Sequence, residues 1–388
     1  MARIARAQQF QANEIGIVHT VQRCVRRAFL AGIDRDTGQD FSYRREWIRR
    51  RLEALASVFG IDVLSYAVMC NHLHLILRNR PDVVAAWSDQ EVAIRWLRMF
   101  PGKRLEEHLA EPNQNDVQAL INQPRRLALI RERLSDISWF MRALSEPIAR
   151  MANRQDQCTG RFWEGRFKAL RIVDEAGLLA CAMYVDLNPV RAALAECPEQ
   201  AVHTSAYDRL QGEQGRLIDA AAFDLVAANA QATHTEIRQQ PNPAPQPHRQ
   251  LRQRRANRRR IRRDAWLAPL TLMPDRLSQE PQVHRDGLRA SDKGFLQVNW
   301  DDYLTLLRWT AGQAVDGLVR KLPGELAGIL VSFGIDASMW RDLVWHFKKY
   351  FGRCACVGAP DAMASHAQCV GKRWHRGQKA ASVCFAHA

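Results

Sequence analysis

Two imidazoles and a phenol carry the chemistry that this chain offers. His72 and His74 flank Leu73 in the run Met69-Cys70-Asn71-His72-Leu73-His74-Leu75-Ile76-Leu77. The run reads as a β-strand, in which side chains two apart share a face. Both imidazoles then project together, with Leu73, Leu75 and Leu77 turned toward a core. Two neutral imidazoles on one face can hold a divalent ion; the same spacing also suits a plain solvated strand face. Farther along, Tyr184 and Asn188 stand four apart at the end of a predicted helix and so share one face of it. A phenol can be a nucleophile, and a carboxamide oxygen can complete a metal site. The structural alternative is a half-buried aromatic followed by a helix C-cap. His19, on the first predicted strand, is a second candidate for a third ligand.

The elements that must position these groups follow from periodicity. Residues 15–23 alternate and read as a strand. A helix is predicted over residues 43–59, with Trp47, Ile48, Leu52, Leu55 and Val58 near helical spacing and Gly60 as its stop. Residues 62–69 and 72–78 read as strands joined tightly at Cys70-Asn71. Residues 81–131 are polar and helix-prone and read as a surface insertion. A long helix is predicted over residues 135–153, kinked or broken at Pro147. A strand over residues 166–173 comes next, then a helix over residues 175–187 with Asp174 as N-cap and Pro189 as stop. The order β-α-β-β-α-β-α predicts an α+β fold over residues 1–212: a ferredoxin-like antiparallel sheet with helices on one face.

The chain has 388 residues and a net charge of +15, from 56 Lys and Arg against 41 Asp and Glu. That excess favours a polyanionic partner, most simply nucleic acid. No apolar run approaches the ~20 residues needed to span a membrane, and the start lacks a secretory pattern, so a cytoplasmic location without membrane contact is expected. The nine cysteines are scattered and read as reduced thiols. Residues 227–265 divide into a Gln- and Pro-rich linker and a basic arm. Residues 248–263 carry nine Arg and no acidic residue; Arg254, Arg255, Arg258, Arg259 and Arg260 are candidate phosphate contacts. Residues 266–388 return to globular composition and read as a small, mainly helical domain. Tyr303, Leu306, Leu307, Trp309, Trp345, Phe347 and Phe351 are its apolar anchors. Within it Cys354, Cys356, His366, Cys369 and His375 suggest zinc by residue type, but a pair separated by one residue, with no second pair, argues against it.

Three motifs taken in order resemble a known family. They are Asn71-His72-Leu73-His74; Gly160-Arg161-Phe162-Trp163-Glu164-Gly165-Arg166-Phe167; and Tyr184-Val185-Asp186-Leu187-Asn188-Pro189-Val190-Arg191-Ala192. Together they resemble the REP-associated tyrosine transposases, single-tyrosine members of the HUH endonucleases, which are named for two His around a hydrophobic residue. Thr204-Ser205-Ala206-Tyr207 is similar to the family's closing Ser-Ser-Tyr element. The resemblance covers about residues 15–207. It implies that Tyr184 is the nucleophile, that His72 and His74 hold a divalent ion with Asn188 as third ligand, and that single-stranded DNA bearing a hairpin is cut and rejoined at REP-like repeats. Mg²⁺ or Mn²⁺ is the implied ion, and Mn²⁺ suits imidazole better. Arg161, Arg166, Lys168 and Arg191 surround the motifs and would clamp phosphates, unless they are solvated surface. Phe167 reads as core, and Trp163 as either core or a base-stacking platform. The insertion and the long extension beyond Gly212 are departures from the compact family pattern. The extra basic surface bears on which hairpin is chosen; the oligomeric state is not legible.

Overall fold

A computed structural model of the chain describes residues 14–25, 31–34, 38–100, 112–220, 260–273, 281–312 and 321–385. The class is α+β, with a five-stranded mixed sheet. The first half runs β1 (Gly16–Arg23), α1 (Arg44–Val58), β2 (Ile61–Val68), β3 (His72–Asn79), α2 (Pro81–Ala85), α3 (Asp89–Met99), α4 (Gln114–Ile121), α5 (Pro124–Leu134), α6 (Ile137–Gln155), β4 (Lys168–Ile172), α7 (Glu175–Asp186), α8 (Asn188–Arg191) and α9 (Ser205–Glu213). A two-stranded ladder joins β5 (Leu217–Asp219) to β6 (Arg260–Arg262). The remainder is α10 (Trp300–Gly312), α11 (Gly324–Ser332), α12 (Trp340–Trp345), α13 (Phe347–Phe351), β7 (Cys356–Val357), α14 (Pro360–Cys369) and α15 (Gln378–Cys384).

The sheet order is β2-β3-β1-β4-β7. The first three pairings are antiparallel, whereas β7 lies parallel to β4. The expected sheet was wholly antiparallel, and the added strand comes from the region read as a separate C-terminal domain. Alternation along β3 divides its side chains as expected. Leu73, Leu75 and Leu77 enter a core with Ile48, Leu52 and Leu55 of α1 and Phe140 and Leu144 of α6. Ile76 faces the other way, into a second core built on α7.

Helices therefore cover both faces, not one. The second core joins Leu179, Met183 and Val185 of α7 to Leu306, Leu307, Trp340, Leu343, Phe347 and Phe351. So the segment expected to stand apart from residue 266 onward shares a core with the sheet. A buried polar knot also ties it down: Asp62 accepts from Arg78 (2.8 Å) and from the backbone N–H and hydroxyl of Ser291 (both 3.0 Å).

The insertion is not a polar surface appendage in its described part. Val83, Val84, Trp87, Val92, Trp96, Met99, Val117, Leu120, Leu127 and Ile130 are buried in the α1/α6 core; its residues 101–111 lie outside the described residues. Pro147 sits inside a helix that continues to Gln155 instead of breaking there. Gly60 does follow α1, but its reason is space: a Cβ would stand 2.1 Å from Val84 Cγ2.

Candidate functional site

The site forms on the α7 face of the sheet. Val21 of β1 pairs with His74, and Arg23 with His72. His19 stands opposite Ile76, hence on the same face as His74 and diagonal to it. Its Nε2 lies 2.9 Å from His74 Nδ1, and the two rings stack with centroids 5.1 Å apart. His72 Nδ1 lies 2.6 Å from Asn71 Oδ1, and its ring is 4.9 Å from that of His74.

α7 brings the phenol to these rings. Asp174 caps the helix as expected, accepting from Gly177 N–H at 2.7 Å. Gly177 lets the helix press on β7, where a Cβ would stand 2.8 Å from Val357 O. One helix length later, the Tyr184 ring is edge-on to His74 at 5.5 Å and to His19 at 6.0 Å. Asn188 donates through Nδ2 to the Tyr184 carbonyl at 3.0 Å, leaving its Oδ1 as the acceptor end of the amide. Arg191 lies over the phenol ring at 4.8 Å and donates to Trp345 O at 2.6 Å.

Electrostatics keep the imidazoles neutral. Burial depresses His19 to about 3. Burial, with Arg23 and Lys348 nearby, depresses His72 to about 4. His74 is held well below the ordinary value by burial and then by the neighbouring His19 and His72. Neutral rings are the form that binds a cation. His74 also fits that role by position: its Nε2 is buried and has no hydrogen-bond partner, which a bound cation would satisfy. Burial pushes the Tyr184 phenol above its ordinary value, with Arg191 and Asn188 pulling it partly back.

The other five tyrosines lie elsewhere. Tyr66 bonds Asp208, Tyr303 bonds Asp186, and Tyr350 bonds Asp342. Tyr43 packs on Trp47, and Tyr207 lies under Arg263.

The remaining expected contacts separate into groups. Arg161, Arg166 and Lys168 are exposed. Lys168 pairs with Val21, and Glu164 N–H donates to Arg23 O at 2.9 Å, so this segment runs past the His72 end of the sheet. Phe167 is buried as expected. Trp163 is half-buried and donates to Ser145 O at 2.8 Å, which directs it to α6. Arg254, Arg255, Arg258 and Arg259 lie outside the described residues, as does the linker. Arg260 does not sit in a free arm: it belongs to β6, 3.7 Å from Asp219. Arg262 and Arg263 likewise meet Asp264 and Asp208, so the end of the run is paired although the run itself carries no acidic residue.

Two participants escaped sequence reasoning. Phe347 was legible only as an apolar anchor, yet its ring stacks on Tyr184 at 4.8 Å. Asp186 lies inside the third motif and is fully buried; it accepts from Ala206 N–H at 3.1 Å and from the Tyr303 hydroxyl at 2.7 Å, fixing the end of α7. Among the described residues, one set of His, Cys, Asp or Glu brings three ligand atoms within 4.8 Å of one another, and it lies elsewhere: Cys356, His366 and His375. No described helix is long and apolar enough to cross a membrane.

No family model matches this sequence, and no curated protein matches it. Among solved structures, the chain is similar to a REP-associated tyrosine transposase bound to a REP hairpin, at 12% identity and a TM-score of 0.30, covering 51% of this chain and 81% of that one. Similarity at that level assigns neither a family nor an activity.

Proposed function

We propose that this chain is a metal-dependent endonuclease and strand transferase for single-stranded DNA, acting through Tyr184 at hairpin-bearing, REP-like repeats. The observation that carries the reading is the 5.5 Å approach of the Tyr184 and His74 rings, from elements more than a hundred residues apart in sequence. The three ordered motifs and the net positive charge support the same reading.

In this reading the Tyr184 oxygen attacks phosphorus in line and displaces the 3′-oxygen. The phenol proton leaves with the departing oxygen or to solvent. The product is a 5′-phosphotyrosine and a free 3′-hydroxyl, and attack by another 3′-hydroxyl restores the phosphodiester, so no external energy source is consumed. An ordinary phenol is only about 0.1% ionised at pH 7, and burial lowers that fraction, so the site must offset at least roughly 4 kcal/mol. Arg191, over the ring, opposes part of that cost by attracting the phenolate. His72 and His74, with Asn188 Oδ1 as third ligand, would hold Mg²⁺ or Mn²⁺, which would supply Lewis-acid polarisation of the scissile phosphate. His19 holds the His74 ring so that Nε2 is the free nitrogen. Arg161, Arg166 and Lys168 bind flanking phosphates at the His72 end of the sheet.

A second reading has one observation in its favour. Tyr184 is only 5% exposed beneath Phe347, which suits a domesticated, non-cleaving nucleic-acid-binding regulator. The two are separated by incubating the protein with hairpin-bearing single strands labelled at the 3′ end, with Mn²⁺ or Mg²⁺. The nuclease reading expects a labelled protein that survives a denaturing gel and vanishes with Tyr184→Phe. Binding without cleavage identifies the regulator. Cleavage without an adduct identifies a water-using phosphodiesterase.

A further inference from the structure

Three potential ligands converge at the edge of the sheet, away from Tyr184. Cys356 lies in β7 and is fully buried. The strand is held against β4 by Arg171 N–H to Ala355 O at 2.9 Å and by Val173 N–H to Val357 O at 3.0 Å. His366 lies on α14, and His375 lies in the loop between α14 and α15, also buried. One ligand atom from each falls within 4.8 Å of the others. His366 Nδ1 and His375 Nε2 face each other at 2.9 Å, with the rings stacked at 5.0 Å.

We propose that Cys356, His366 and His375 form a structural zinc site that fastens the C-terminal segment to the sheet edge. Zinc bonds nitrogen at about 2.0–2.1 Å and sulfur at about 2.3 Å, so tetrahedral ligand atoms stand roughly 3.3–3.7 Å apart. That spacing fits inside the 4.8 Å that bounds the three ligand atoms. The two ring nitrogens approach closer than this, and a cation between them requires only that they part slightly. A thiolate with two imidazoles is a borderline-soft donor set that suits zinc, and it is the thiolate that sets it apart from the His72/His74 pair. The fourth position is left to water or to Cys354, which packs against Gly377, two residues after His375.

Position gives the site its purpose. β7 is only two residues long, too short to hold a sheet edge through its own hydrogen bonds. The three ligands come from the strand, the following helix and the next loop, so one ion would fasten all three. The sequence argument against zinc rested on the lack of a second cysteine pair. It fails because the partners are imidazoles that chain folding brings up.

The test uses the full-length chain without an affinity tag, loaded with Zn²⁺ or Co²⁺ and then desalted. We expect about one zinc retained per chain, and a thiolate-to-cobalt charge-transfer band in the cobalt form. The His72/His74 pair has no sulfur and cannot give that band. Both signals should persist in the His72→Gln/His74→Gln double variant and disappear in Cys356→Ser and in His375→Gln. Stripping zinc from the unaltered chain should lower its unfolding temperature, and re-addition should restore it. Absence of retained metal and of the band in the unaltered chain overturns the site, as does a band that survives Cys356→Ser. Should that variant fail to fold, His375→Gln decides: loss of the band supports the site and its survival overturns it.

Discussion

Phe347 and Tyr184 are stacked, with ring centroids 4.8 Å apart and planes 25° from parallel. The contact joins α13 to the helix that carries the proposed nucleophile and helps keep Tyr184 only 5% exposed. Phe347→Ala removes a side chain that is 2% exposed and should cost about 3–5 kcal/mol of stability. Phe347→Leu keeps more of the packing. Its expected signature is faster chemical modification of Tyr184 and faster adduct formation with short single strands, read per folded molecule.

His19 is expected to act on the proposed metal site through His74. Replacing it with Phe removes the hydrogen bond that sets the His74 ring. Manganese titrations of adduct formation should then show affinity weakened roughly 10–100-fold, with activity recovered at high metal. His74→Ala, which deletes a ligand, should not recover at any tested concentration.

Acid should destabilise the fold from about pH 6.5 downward, through histidines that are buried neutral. His19 and His72 sit at about 3 and about 4 when folded and near 6.5 when unfolded. Between those limits the unfolded chain binds more protons, so stability is full above about pH 6.5 and falls as the pH drops toward 4. Urea midpoints measured from pH 7.5 down to 4.5 should decline, and the decline should be shallower in His19→Phe.

Asp62 should matter far more than a surface carboxylate. It is fully buried between Arg78, Arg80 and Ser291. Asp62→Ala leaves the buried Arg78 without a carboxylate, while Arg80 keeps Asp82, and should cost about 3–5 kcal/mol. Because Ser291 belongs to the C-terminal half, thermal unfolding of the parent chain should be a single transition, with no separate step for residues 266–388.

Local signals carried the elements around the site. Alternation placed His72 and His74 on one face of β3, and Asp174 marked the start of α7. Leu73, Leu75 and Leu77 went to the expected core. What was not legible depended on docking. The insertion spreads Val92, Trp96 and Met99 among charged residues, so its average polarity concealed a buried stripe. Nothing local in Phe347 says that it will lie on Tyr184, because that contact is set by how α7 and α13 share a core. Cys356 becomes a strand residue only through pairing with β4, and a two-residue strand has no periodicity to detect. The basic run near residue 260 misled for a similar reason: Asp208 and Asp219, which meet its last arginines, lie far back in the sequence.

The cover that Phe347 lays over Tyr184 has a consequence for how the molecule comes into being. During synthesis the strands and α7 leave the ribosome first, and the residues that roof over the phenol follow on the order of ten seconds later. Until then the newborn protein carries the Tyr184 ring without its Phe347 cover. Sealing therefore comes late, and a chain interrupted before α13 would be left permanently unroofed.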